Sequence, residues 1–121
     1  MKVSELEGAL LDYWVAKAEG YEAELCRDDQ GSFCVRTKRY AGEGGQFRGP
    51  FFPSREWADG GPILARERIG LMPAIEGRRE FWIAAHPSYS WPRRGNTPLI
   101  AAMRAYVASK FGAEVPEVAH G

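Results

Sequence analysis

Two stretches of helical periodicity, over residues 4–19 and 97–111, bracket a middle region that offers no helix of similar length. In the first, Leu6, Leu10, Tyr13, Trp14 and Lys17 recur at steps of three and four, and Ala9, Val15, Ala16 and Ala18 widen the stripe. Such spacing gathers apolar side chains on one helical face. Ser4 and Glu7 have the spacing of a capping box and Gly20 supplies a stop, so the pattern predicts a helix over residues 4–19. In the second, Thr97 suits the N-cap and Pro98 the first turn. Leu99, Ala102, Met103, Tyr106, Val107 and Lys110 mark one face, and Gly112 follows Phe111. Two such helices need a partner layer against which to bury their apolar faces.

Strands in the middle region supply that layer. Tyr21–Cys26 and Ser32–Lys38 alternate around Asp28-Asp29-Gln30-Gly31 and read as a hairpin. Centring its turn on Gln30 opposes Glu24 to Arg36, Glu22 to Lys38, Leu25 to Val35 and Cys26 to Cys34. Matched cross-strand pairs contribute about 0.2–1 kcal/mol each, whereas a one-residue slip inverts both faces. In that register the two sulfurs are neighbours on the more polar face. Tyr40–Pro53 is rich in glycine and proline and reads as a long loop, packed through Phe47, Phe51 and Phe52. Pro62 suits the first turn of a short helix running to Ile69. Strands are expected over Gly70–Ala74 and Glu80–His86, a loop over Pro87–Asn96, and an extended or frayed tail over 113–121. The fold expected for residues 1–121 is one α+β domain. Its small antiparallel sheet, the N-terminal hairpin plus one or two later strands, packs against two amphipathic helices, with one short extra helix and long loops.

Composition narrows the class. Hydrophobic residues make up 45% of the 121 and charged residues 26%, which excludes a disordered chain or a coiled coil. No apolar run approaches the roughly 20 residues of a spanning helix. The N-terminus turns acidic where a signal peptide needs an apolar stretch, so a cytoplasmic location is expected. There, Cys26 and Cys34 are expected as free thiols. Basic and acidic residues balance at 16 each, but residues 1–30 hold three basic and eight acidic side chains and residues 31–110 hold thirteen and six. Segments of opposite sign lying side by side neutralise one another, and a pI near 6.7 lacks the basic footprint of a dedicated nucleic-acid binder.

Few residues point to chemistry. Cys26, Cys34, His86 and His120 have no familiar zinc spacing, and neither a metal nor a cofactor is expected. His86 is the one histidine outside the tail, no Gly-x-Ser-x-Gly elbow is present, and a structural role is the better assignment for it. Gly42–Gly45 lacks the lysine and the strand-to-helix setting of a phosphate loop. Asp28 and Asp29 suit a turn better than an acid–base pair. Two places remain. Trp91, Arg93 and Arg94, with Arg78 and Arg79, combine ring and charge in a way that could stack a base and neutralise phosphate. Asp59 lies between Trp57 and Gly60-Gly61-Pro62, where glycines permit close approach of a ligand, although a capping role explains it as well.

The segments Ser4–Asp12 and Val15–Gly20 resemble the opening of the NinX-like phage proteins. Pro53–Ile63 is similar to that family's central tryptophan and double-glycine motif, Trp82-Ile83-Ala84 to its tryptophan-x-alanine element, and Thr97–Gly112 to its closing helix. The likeness spans nearly the whole chain. It implies a phage or prophage origin and expression in a bacterial cytoplasm, and it brings no catalytic residue, cofactor or partner with it. Trp57, Asp59, Gly60, Gly61, Trp82 and Arg104 mix aromatic walls with a few polar groups, so the motif is either a ligand pocket or the joint where loop, sheet and last helix pack. The function expected is that of a non-catalytic accessory protein binding a phage or host protein, with homodimer formation a further expectation. The alternatives are a nucleic-acid module using Arg78, Arg79, Trp91, Arg93 and Arg94, and a small-molecule or enzymatic site around Trp57–Pro62.

Overall fold

Gly8 decides where the first helix begins. In the computed structural model, which describes residues 1–118, its φ is +57°, a left-handed value that side-chain-bearing residues adopt at a cost. A helix from Ser4 is therefore interrupted: residues Val3–Glu5 form a separate 3₁₀ turn and helix α1 runs Gly8–Ala18. The expected capping box does not form, because Glu7 occupies the N-cap and no side chain bonds the helix start. The stop is as expected. Gly20 has φ +83°, with its N–H on the Lys17 carbonyl and the Tyr21 N–H on the Ala16 carbonyl, both at 3.0 Å.

Strands β1 (Glu22–Asp28) and β2 (Gly31–Arg39) form the hairpin, but one residue away from the expected register. Leu25 pairs with Cys34, Cys26 with Phe33 and Asp28 with Gly31. The loop is the two-residue Asp29–Gln30, held by the Gln30 N–H donating to Asp28 Oδ1 at 2.9 Å, and loop length fixes register. Cys26 and Cys34 consequently point to opposite faces, and both are free thiols. The charge pairs find other partners, Glu22 with Arg39 and Glu24 with Arg48, each at 3.0 Å. Arg48 belongs to β3 (Gln46–Pro50), a third strand in the stretch expected to be loop. Phe51 after it is buried, Phe52 half-buried and Phe47 exposed.

Helix α2 covers Trp57–Glu67, starting five residues before the expected Pro62. Proline in a helix forfeits one backbone bond and clashes with a preceding side chain; Gly61, having none, relieves the clash. Strands β4 (Gly70–Glu76) and β5 (Arg79–Ala85) are joined by Gly77–Arg78, and β6 (Arg93–Gly95) adds a third strand within the expected Pro87–Asn96 loop. Helix α3 spans Pro98–Phe111, with Thr97 Oγ1 accepting the Ile100 N–H at 3.1 Å and Gly112 at the end.

The α+β class is as expected, and its strands divide into two antiparallel sheets, β1-β2-β3 and β4-β5-β6. Helix α1 lies on the first sheet, α3 on the second, and the two helices pack on each other; α2 packs on α3. Helix α3 is thus covered on several sides, which is why eight of its fourteen residues are buried and its apolar residues do not keep to one stripe. A Cβ on Gly95 would lie 2.4 Å from the Ala101 backbone nitrogen, so β6 meets α3 backbone to backbone. Leu11, Val15, Met103, Tyr106 and Phe51 fill the core, each worth about 1.5–3 kcal/mol when fully buried. The expectation of an extended or frayed tail from residue 113 does not hold for its first residues: Val3 N–H bonds Ala113 O and Val115 N–H bonds Met1 O, both at 2.9 Å, and Val115 is buried. Residues 119–121, including His120, lie outside the described residues.

Candidate functional site

The tryptophan and double-glycine motif forms the first turns of α2. Asp59 accepts the Phe52 N–H at 2.9 Å and so ties the chain after β3 to the helix. Gly60 is buried, and a Cβ there would stand 2.2 Å from the Pro53 carbonyl oxygen and 2.9 Å from Leu99 Cδ2. Next to this contact, the Ser54 N–H donates to Asp12 Oδ1 at 2.8 Å in the interior. Burial pushes the Asp12 carboxyl up to about 6, against the opposing pull of Ser54 and Arg55. Asp59 and Gly60 are therefore engaged in joining loop, α2 and α3.

Trp57 points away from this joint. It is 56% exposed and borders an apolar groove of about 270 Å³ with Ser54, Arg55, Pro98, Leu99 and Ile100. A Cβ added at Gly61 would lie 3.6 Å from Trp57 Cε3, in ordinary contact with the ring. Asp59 lines a different cleft, with Arg36 and Arg66. Trp82 and Arg104 do not join Trp57. Trp82, on the central strand of the second sheet, lines a groove with Pro73, Ile75 and Asn96. Arg104, on α3, donates from Nε to Leu6 O and from Nη1 to Arg94 O, both at 2.8 Å, which fastens the first residues and β6 to α3.

Of the residues of the nucleic-acid alternative, Arg79 and Arg94 line one cleft with Arg104, whereas Arg78, Trp91 and Arg93 are not part of its lining. Arg78 and Arg79 sit at the β4–β5 turn; Trp91 precedes β6, whose Arg93 pairs with Ala84 at the far end of β5. Seven residues of strand separate the two ends by about 20 Å. Trp91 is 68% exposed. Arg93 stacks on Tyr89 and donates to its hydroxyl at 3.2 Å, while Arg94 covers the Phe81 ring and pairs with Glu76 at 3.0 Å.

A second polar cluster, assembled from four segments, escaped the sequence. Arg66 grips Glu19 through Nη1 and Nη2 at 3.0 and 2.6 Å and Glu67 through Nε at 3.0 Å, and Tyr106 donates to Glu19 at 2.6 Å. Burial raises the Glu19 carboxyl, but the bonds from Arg66 and Tyr106 together outweigh it and the net displacement is downward. His86 meets Glu67 at 2.9 Å through Nε2 and accepts the Ser88 N–H on Nδ1 at 3.0 Å. A ring nitrogen that accepts a backbone N–H leaves Nε2 as the protonated one, so both sides of the imidazole are engaged. Arg36 was missed too. Its guanidinium lies 4.3 Å from the Phe51 ring centre and 5.1 Å from that of Tyr21. Residue type alone gave no signal for either cluster, because both depend on how the two sheets meet the helices.

Together these features define a small α+β domain in which a tryptophan-bearing helix is locked to the core by a buried glycine. No curated protein matches the chain. The family described as Bacteriophage P22, NinX matches residues 2–110, and the chain belongs to that family of phage proteins. Among the described residues no helix is long and apolar enough to cross a membrane.

Proposed function

We propose that this protein is a phage or prophage accessory factor that acts in the bacterial cytoplasm by binding a phage or host protein through the Trp57 surface. The observation that carries this is a large aromatic left half open to solvent on a helix fixed by Gly60 and Asp59, beside an apolar groove. Tryptophan on a rigid element loses little conformational freedom on association, and such residues dominate binding energy at protein interfaces. His86 supports a non-catalytic role, since both of its ring nitrogens are held in structural bonds. The test is capture from phage-infected cells with the wild-type chain, with Trp57→Ala and with Trp91→Ala. A protein retained by wild type and Trp91→Ala but lost with Trp57→Ala is the expected result, and recovery of the same proteins with all three removes the proposal. Sedimentation of the purified chain separates a second copy of itself from a foreign partner.

A further inference from the structure

Three arginines from three elements line one small cleft of about 110 Å³: Arg79 at the start of β5, Arg94 on β6 and Arg104 on α3, with Phe81, Gly95 and Asn96. Their charges are poorly matched within the fold. Arg79 bonds no side chain among the described residues, and its cross-strand neighbour Glu76 is paired with Arg94 instead. Arg104 bonds only carbonyl oxygens, of Leu6 and Arg94, and so remains a half-buried cation without a bonded carboxylate. Arg94 alone has an acidic partner, Glu76, and both members of that pair are well exposed. Like charges brought together repel one another, and a cluster of guanidinium groups matches the oxygens of a phosphate.

Phe81 and Asn96 also line the neighbouring groove of about 340 Å³, whose other walls are Pro73, Ala74, Ile75, Glu80 and Trp82. The arginine cleft and the groove therefore adjoin. The first has room for a phosphate group, whereas the second has room and mixed polarity for an attached organic body, with the Asn96 amide able both to donate and to accept. We infer that the cleft formed by Arg79, Arg94 and Arg104 with the adjoining Phe81–Asn96 groove is a binding site for a phosphomonoester of nucleotide size. Two sources carry that chemistry: a free nucleotide and the phosphorylated end of a single strand. The site is separate from the Trp57 surface, so loss of either leaves the other to be judged alone.

The test is titration of the full chain at low ionic strength with adenosine monophosphate, adenosine and inorganic phosphate, followed by amide resonances and by calorimetry. Adenosine monophosphate is expected to bind with a dissociation constant on the order of 0.1–1 mM, as suits a ligand of its size, and more tightly than adenosine or phosphate. Shifts are expected to centre on Phe81, Gly95 and Asn96. Arg79→Glu, a change at an exposed position, should weaken binding by about tenfold, and Glu76→Gln, which frees Arg94, should strengthen it. Arg104→Lys serves as the third variant because its loss of fork geometry is read against the chain's amide spectrum as a control for folding. A 5′-phosphorylated oligothymidine that binds more tightly than both the mononucleotide and its 5′-hydroxyl counterpart identifies the strand end as the source; the mononucleotide binding more tightly identifies the free nucleotide. Adenosine binding as well as its monophosphate, or affinity unchanged by Arg79→Glu, overturns the site.

Discussion

Asp12 on α1 and Ser54 before α2, 42 residues apart in sequence, meet in the interior through the Ser54 N–H donating to Asp12 Oδ1 at 2.8 Å. The bond orients the carboxyl without offsetting its loss of water, so its folded-state value of about 6 stands above the ordinary 3.8. A carboxyl whose folded value is raised favours the folded state most below the unfolded value, and that advantage is lost as pH rises through the folded one. Asp12 should therefore contribute up to about 3 kcal/mol of added stability as pH falls from near 6 to near 4. Glu19, Glu22 and Glu67 are displaced downward from 4.5, so their contributions begin to fade as pH falls below about 5 and oppose the Asp12 gain at the lower end of this range. Urea unfolding should show wild type gaining stability relative to Asp12→Asn as pH falls from near 6 to near 4; a difference between the two that does not change with pH would rule out Asp12 as its source.

The two adjacent glycines of the α2 motif should respond very unequally to alanine. At Gly60 a Cβ would collide with the Pro53 carbonyl oxygen at 2.2 Å, a backbone atom that has little room to retreat, and Gly60→Ala should cost about 3 kcal/mol or more. At Gly61 the nearest atom, on Trp57, is in ordinary contact at 3.6 Å. There the helix-forming gain of alanine opposes the crowding of its Cβ by Pro62, so Gly61→Ala should stay within about 1 kcal/mol of wild type. Thermal midpoints of the two variants measured together check the contrast, and equal losses would contradict it.

These same residues show what the sequence could reveal. Thr97, Pro98 and Gly112 act within one turn of their own helix, so the bounds of α3 are readable from neighbours in the chain. Gly20 acts in the same way. Gly8 gives no such signal, because leucines on either side keep the helical spacing while its own backbone turns left-handed. The start of α2 was hidden because Asp59 is satisfied by Phe52 and Gly60 is selected by Pro53, contacts that two glycines and a proline do not announce. Strand β3 is held by β2 rather than by any strong strand preference of Gln46–Pro50. The candidate sites divide likewise. Trp57 was evident as an aromatic in a motif, whereas the meeting of Arg79, Arg94 and Arg104 follows from how β5, β6 and α3 cross.

Tyr106→Phe should expose how much the Glu19 cluster contributes. The change keeps the buried ring and removes the hydroxyl that donates to Glu19 Oε2 at 2.6 Å. Arg66 still neutralises Glu19, so the loss should be about 2 kcal/mol near neutral pH, the scale of one bond to a charged group. Glu19 has a lowered folded-state value, so its bonds contribute above the ordinary carboxyl value of 4.5 and fade as pH falls through the folded one. The gap between variant and wild type should therefore narrow in acid. A gap that is constant or grows there would mean that the hydroxyl contributes independently of the Glu19 charge, as through its contact with Arg66.

The hairpin register makes its own prediction, because shifting it by one residue changes what two thiols can do. With Leu25 opposite Cys34 and Cys26 opposite Phe33, the sulfurs project to different faces of the sheet. Cys34 is buried beneath α1, where burial, followed by the nearby Asp12 charge, pushes its thiol up to about 12. A thiol so displaced holds almost no thiolate at neutral pH and is a poor nucleophile. Cys26 is only half-buried. A maleimide reagent added to the folded chain should modify Cys26 alone, with Cys34 labelled only after unfolding, and mild oxidant should form no intramolecular disulfide. Peptide mapping by mass spectrometry distinguishes the cases: fast labelling of Cys34, or a Cys26–Cys34 cross-link in folded protein, would require the two residues to face each other and would restore the register centred on Gln30.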